Sequence, residues 1–120
     1  MKYLYMQTNG PEMPAKTAMP FQLASAAAMV GNDATVVLSA LGCNLVRHGT
    51  PEELVAGPGM PPLRHFIDLA KECGVQILVC SGGLDVAALK PEDLIADIDG
   101  IIGGMTFNEM AGEADVVMIF

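Results

Sequence analysis

The run Gly74-Val75-Gln76-Ile77-Leu78-Val79-Cys80-Ser81-Gly82-Gly83 decides how this chain folds. Val75 to Cys80 is a short apolar stretch held between glycines, which marks a strand buried on both faces. Just ahead of it, Leu63 to Cys73 sets Leu63, Phe66, Ile67 and Ala70 on one helical face, with Gly74 as the stop. A helix delivering its chain into a two-faced strand is the building unit of an open parallel sheet.

Reading outward, the same alternation continues. Tyr3 to Gln7 predicts a short strand closed by Thr8-Asn9-Gly10-Pro11, a strong turn signal. An Ala- and Met-rich helical stretch follows from about Ala15 to Val30, in which Pro20 marks either the start or a kink. Ala34 to Ala40 is a second buried strand. Leu41 to Pro62 reads as the one long irregular connection, with a capped helical turn at Thr50-Pro51-Glu52-Glu53-Leu54. Beyond Cys80, Ser81-Gly82-Gly83 reads as a flexible turn, with helix from about Leu84. Lys90-Pro91-Glu92-Asp93-Leu94 predicts a further helical turn. Gly100 to Gly103, Phe107 to Glu113 and Val116 to Phe120 then give strand, helix and strand. The expected fold is a single α/β domain over residues 1–120, a three-layer α/β/α arrangement with a mainly parallel sheet of about five strands.

Composition narrows the function classes. The chain is 52% hydrophobic but only 5% aromatic, too apolar for disorder. Its net charge of −8 argues against nucleic acid and anionic membranes, both of which require basic patches. The charge is lopsided: residues 1–84 hold six acidic and five basic side chains, residues 85–120 eight against one. No segment has the apolar length of a membrane span, and Gln7-Thr8-Asn9 interrupts the N-terminus too early for a signal-peptide core. Three cysteines without a Cys-x-x-Cys pair suggest reduced thiols and a cytoplasmic protein. His48 and His65 lack metal-ligand spacing, so neither metal nor cofactor is expected. Phosphate-binding and serine-hydrolase motifs are missing as well.

In open parallel sheets, chemistry gathers beyond the carboxyl ends of the strands. That edge collects Lys16, Cys43, Arg47, His48 and Cys80. Cys80 ends an apolar strand where Ser81, Gly82 and Gly83 lead into a helix. Free backbone N–H groups at such an entry favour a thiolate and leave it approachable, although strand cysteines are also commonly inert and buried. Cys43, in Gly42-Cys43-Asn44, is either a second thiol of the cleft or a loop residue. Arg47 and Lys16 could balance an anionic sulfur, and His48 is either a nearby cation or a solvated loop residue. Cys73 and the nine methionines read as packing residues.

With Cys80 at the end of the third strand, the chain resembles the DsrE/DsrF-like sulfur-relay family of YchN-like fold. Residues 74–80, Leu94-Ile95-Ala96-Asp97-Ile98-Asp99-Gly100 and Ala111-Gly112-Glu113-Ala114-Asp115-Val116 carry the resemblance. It implies a small cytoplasmic sulfur carrier holding a persulfide or thiosulfonate on one cysteine, the position that Cys80 matches. It also implies homo-trimers or hexamers, with sulfur donor and acceptor proteins or small sulfane compounds as partners. Ser81-Gly82-Gly83-Leu84-Asp85 stands where members often carry bulkier or more basic residues. The loop from Gly57 to Pro62 is the expected gate. Two other readings fit the same fold: an interaction or regulatory subunit without chemistry, and a small-molecule binding protein.

Overall fold

Strands form where the apolar runs fall: β1 (Lys2–Gln7), β2 (Asp33–Leu38), β3 (Gln76–Cys80), β4 (Gly100–Ile102) and β5 (Val116–Ile119). The computed structural model describes residues 1–120. All neighbours pair in parallel, in the order β4-β3-β2-β1-β5. The helices are α1 (Met19–Met29), α2 (Thr50–Glu53), α3 (Leu63–Glu72), α4 (Ser81–Ala87) and α5 (Gly104–Glu113).

The order of strands fixes where the helices go. From β1 through β2 and β3 to β4 the chain steps in one direction across the sheet. It then returns past β1 to place β5 on the opposite edge. Crossovers between parallel strands are right-handed almost without exception, so reversing the direction sends the connecting helix to the other face. The residues of α1, α3 and α4 accordingly pack with Tyr5, Val36, Leu38, Ile77 and Val79 in a cluster of 22 buried residues. On the opposite face, Leu4, Val37 and Leu78 form a cluster of three, covered by Phe107, Met110 and Ala111 of α5 and by Ala114 just beyond it.

Local chemistry explains most element ends. Pro20 occupies the first turn of α1, so the helix starts at Met19 and a separate single turn covers Pro14–Lys16. Buried Ala24 and Ala27 let α1 lie close to the sheet. Gly74, at φ +83°, takes the left-handed position just past α3. Two expectations need correction. The connection after β2 is not irregular throughout: Ala40–Val46 is a 3₁₀ helix that buries Gly42, Cys43, Leu45 and Val46 in the large cluster. Ser81-Gly82-Gly83 is not a turn either, but the first turn of α4. Low glycine propensity gives way there because the segment is packed against the 3₁₀ helix, where only glycine fits at position 83.

The termini are tied into the sheet. The Thr8 N–H donates to the Phe120 carbonyl (2.9 Å), and the Lys2 N–H donates to the Asp115 carboxylate (2.7 Å). At the amino-terminal edge, Asp99 accepts from the Ile77 N–H (2.8 Å) and from Lys71 Nζ (2.7 Å), joining α3, β3 and the entry to β4. Burial pushes the Asp99 carboxyl up, but these donors outweigh it and hold the group below the usual carboxylate range.

Candidate functional site

The carboxyl edge of the sheet is built by loops in backbone contact. A side chain at Gly10 would run into the Leu41 carbonyl, and one at Gly42 into that of Gln7. At Gly83, a Cβ would lie 2.6 Å from Cys43 Sγ and 2.7 Å from the Ala40 nitrogen. These glycines lock the ends of β1 and β2 to the first turn of α4. Gln7, fully buried beneath them, has both ends of its amide occupied. Nε2 donates to the Lys16 carbonyl (2.7 Å), and Oε1 accepts from the Asn9 N–H (2.9 Å).

Cys80 lies where the two layers of helices part. It pairs with Ile102 on the neighbouring strand. From Cys80 the chain enters α4 toward one face; from Ile102 and Gly103 it enters α5 toward the other. Adjacent strands whose connections leave to opposite faces open a crevice at their carboxyl ends, the usual ligand position in open α/β sheets. Cys80 and Gly103 are the residues immediately preceding those helices, and neither helix has a side-chain cap hydrogen bond. A Cβ built on Gly103 would come within 4.0 Å of Ser81 Oγ, so the two helix entries meet at this point. The Cys80 side chain is half-buried and, like Met6, Ile102, Phe107 and Met110, packs against the cluster of Leu4, Val37 and Leu78 on the thin face of the sheet.

Of the other candidate residues, Ser81, Gly82 and Gly83 follow Cys80 directly in α4. Cys43 lies beside them, yet it belongs to the large cluster and is fully buried. Its thiol donates to the Leu38 carbonyl at 3.5 Å. Burial, reinforced by the charge of nearby Cys80, pushes the Cys43 thiol up to about 12, so it stays protonated as a packing residue.

Arg47, His48 and Lys16 are exposed. Arg47 lines an open groove of about 370 Å³ with Pro11, Glu12, Leu41, Asn44 and Thr50, which does not include Cys80. The backbones of Arg47 and His48 attach to Leu94 and Asp93, a corner whose buried residues Val46, Leu94 and Ile95 belong to the large cluster. The segment from Gly57 to Pro62 folds back through a Val55–Pro62 bridge, and flanking Leu54 and Ala56 pack on that same cluster. Ser81, Gly82, Gly83 and Cys43 thus adjoin Cys80, whereas Arg47 lines a groove that leaves Cys80 out and the Gly57–Pro62 segment folds back beside Leu54 and Ala56.

No three His, Cys, Asp or Glu side chains come together in a way that could hold a metal ion. A cavity of about 220 Å³ lined by Lys2, Asp33, Thr35, Gln76 and Glu113 opens at the opposite, amino-terminal edge. Gly103 is the site residue the sequence reading missed. The signal available for it was the Gly103-Gly104 pair directly after the short Ile101-Ile102 strand.

An all-parallel α/β/α sheet with a half-buried cysteine at its topological switch point defines the class of this protein. The model of the DsrE/DsrF-like family matches residues 1–120, and the chain belongs to that family. Membership supports a sulfur-relay-like role in general. Among solved structures, the chain is similar to the YchN protein from E. coli, with a TM-score of 0.80 and 16% identity over 100% of this chain and 99% of that one. It is also similar to MTH1491 from Methanobacterium thermoautotrophicum, described as a protein of unknown function, with a TM-score of 0.65 and 12% identity over 98% and 96% of the two chains. Identities this low establish the shared fold alone. No curated protein matches the sequence. No helix is long and apolar enough to cross a membrane.

Proposed function

We propose that this protein is a cytoplasmic sulfur carrier that holds sulfane sulfur on Cys80 as a persulfide or thiosulfonate, with the whole of residues 1–120 acting as one unit. The observation that supports it most is the position of Cys80 at the switch point, immediately before α4. Backbone N–H groups in the first turn of a helix have no intrahelical acceptor, and they favour negative charge beside them. A thiolate at Cys80 attacks the sulfane atom of a donor such as thiosulfate. A sulfur–sulfur bond forms at Sγ, the donor's sulfur–sulfur bond breaks, and sulfite leaves with the electron pair. An acceptor thiolate then takes the outer sulfur by the same exchange. Cys43, buried and protonated, stays outside this cycle.

The carrier works as a homo-oligomer, a trimer or a hexamer on the family's pattern. Support comes from edge strand β5, where Val117, Met118 and Ile119 remain exposed in an isolated chain. An apolar open edge of this kind favours pairing with another chain.

Incubation with thiosulfate or an organic persulfide, followed by intact-mass measurement, tests the reading. One or more added sulfur atoms on the native protein, removed by reductant and lost in Cys80→Ser, are expected. An unmodified native protein, or a Cys80→Ser variant that still gains sulfur, overturns it.

A further inference from the structure

We infer that the outer face of α1 is a contact surface between two copies of this chain, packed helix on helix across a two-fold axis that passes near Ala26. It rests on the oligomer reading above, to which it gives a named surface, and it is independent of the chemistry at Cys80.

Lys16 and Asp33 bound the longest stretch of the chain without a charged side chain, and α1 lies wholly inside it. One side of the helix packs inward, where Pro20, Phe21, Ala24, Ser25 and Ala27 are buried. The outer side is apolar as well. Met19, Leu23, Met29 and the following Val30 are between 38% and 78% exposed, and Ala26 lies exposed among them. Gln22 is the one polar residue on that side. A surface helix turns charged and polar groups outward, whereas a helix apolar all round belongs in an interior. Met19, Leu23, Ala26 and Val30 follow at steps of four, three and four, the spacing at which paired helices meet.

Three features point to a second copy as the cover. The first is charge. Each chain carries −8, so two copies repel where their acidic surfaces meet, but at α1 they touch without setting any charge against its like. The second is shape. Ala26, small and central between Leu23 and Met29, lets two such helices approach to about 8–10 Å between axes, and an apolar face of this kind is its own complement, as a two-fold contact requires. The third is continuity with the open sheet edge. Tyr5 Oη donates to the Leu23 carbonyl (3.4 Å), and Met118, paired with Tyr5 on the same face of the sheet, is exposed. The apolar surface therefore runs on from α1 to β5. That extension matters for size. The 11 residues of α1 make a face roughly 16 Å long and about 10 Å wide, well below the roughly 800 Å² per partner of a standard interface, and β5 supplies further area.

The test weighs the full chain in solution by sedimentation over a range of concentrations, beside Ala26→Glu, Val30→Glu and Ala26→Lys. Both positions are exposed, so each variant is expected to keep the native circular dichroism and melting temperature. The native chain is expected to form assemblies with an even number of copies. Each Glu variant sets like charges across the axis and is expected to halve the assembly or weaken its association at least about tenfold. An equimolar mixture of Ala26→Glu and Ala26→Lys is expected to regain it, which a general loss of structure would not allow. A mixture that stays dissociated overturns the axis near Ala26. A native assembly that both Glu variants leave intact overturns the inference and spares the oligomer reading, whereas a native monomer overturns both.

Discussion

The two faces of the sheet differ in almost every physical respect. One is packed by α1, α3 and α4 into a cluster of 22 buried residues; the other holds three, under the single helix α5. No residue of α5 is fully buried. Buried packing is thus concentrated on one side and Cys80 lies on the other, where neighbours give way more easily. The same strands serve both: Val79 points into the thick side, and Cys80, one residue on, into the thin one.

Matched truncations test this division most severely. Phe21, with no exposed surface, anchors the thick face, and Phe21→Ala is expected to cost about 3–5 kcal/mol in chemical denaturation. Phe107, half-buried on the thin face, is expected to cost only about 1–2 kcal/mol while changing the alkylation rate of Cys80. Equal losses would erase the distinction between the faces.

Alkali sharpens it next. Cys43 holds its proton up to about pH 12 in the folded chain, against an ordinary thiol value of 9.0. Between those values the unfolded chain binds fewer protons than the folded one, so stability falls as pH rises, by up to about 1.4 kcal/mol per unit. Below pH 9 this contribution is fully present. Cys43→Ala is expected to flatten that slope in urea titrations at successive pH values, and an unchanged slope would contradict the burial of the thiol.

Gly83→Ala places a methyl group against Cys43 Sγ and the Ala40 nitrogen and is expected to cost about 1–3 kcal/mol. Adding Cys43→Ala relieves the first contact, so the pair should be non-additive in a double-mutant cycle. The smallest effect runs the other way. Ala88, at φ +55°, ends α4 in the left-handed region, and Ala88→Gly is expected to stabilise the chain by up to about 1 kcal/mol in thermal melts.

Much of the fold was legible because its signals are local. The apolar run ending at Cys80, the stripe of Leu63, Phe66, Ile67 and Ala70, and Gly74 behind it identify strand, helix and stop without reference to anything distant. The helix beginning at Ser81 was not legible, since Gly82 and Gly83 argue against it and the reason for Gly83 is a sulfur forty residues earlier in the chain. The inequality of the faces was hidden too. Ile77, Leu78 and Val79 are equally apolar, and nothing in them tells how many helices lie above each. Cys80 could be chosen from its place at a strand end. Separating it from Arg47 required the fold, because nothing local in the sequence tells that Arg47 lines a groove with Pro11 and Leu41 that leaves Cys80 out.

The pairing of β5 with β1 has a consequence for how the chain folds. β1 and its neighbour β5 are separated by the other three strands in sequence, and the Thr8 N–H finds its acceptor only in the Phe120 carbonyl. Until β5 docks, one edge of β1 stays open, and a pairing between strands this far apart in sequence is slow to close. Helix α5, which covers Leu4, Val37 and Leu78, leads directly into the same strand. Before that pairing forms, the chain therefore presents an open edge of β1 and a helix α5 tethered only through β4, so that docking of β5 closes the sheet edge and seats the helix in one event.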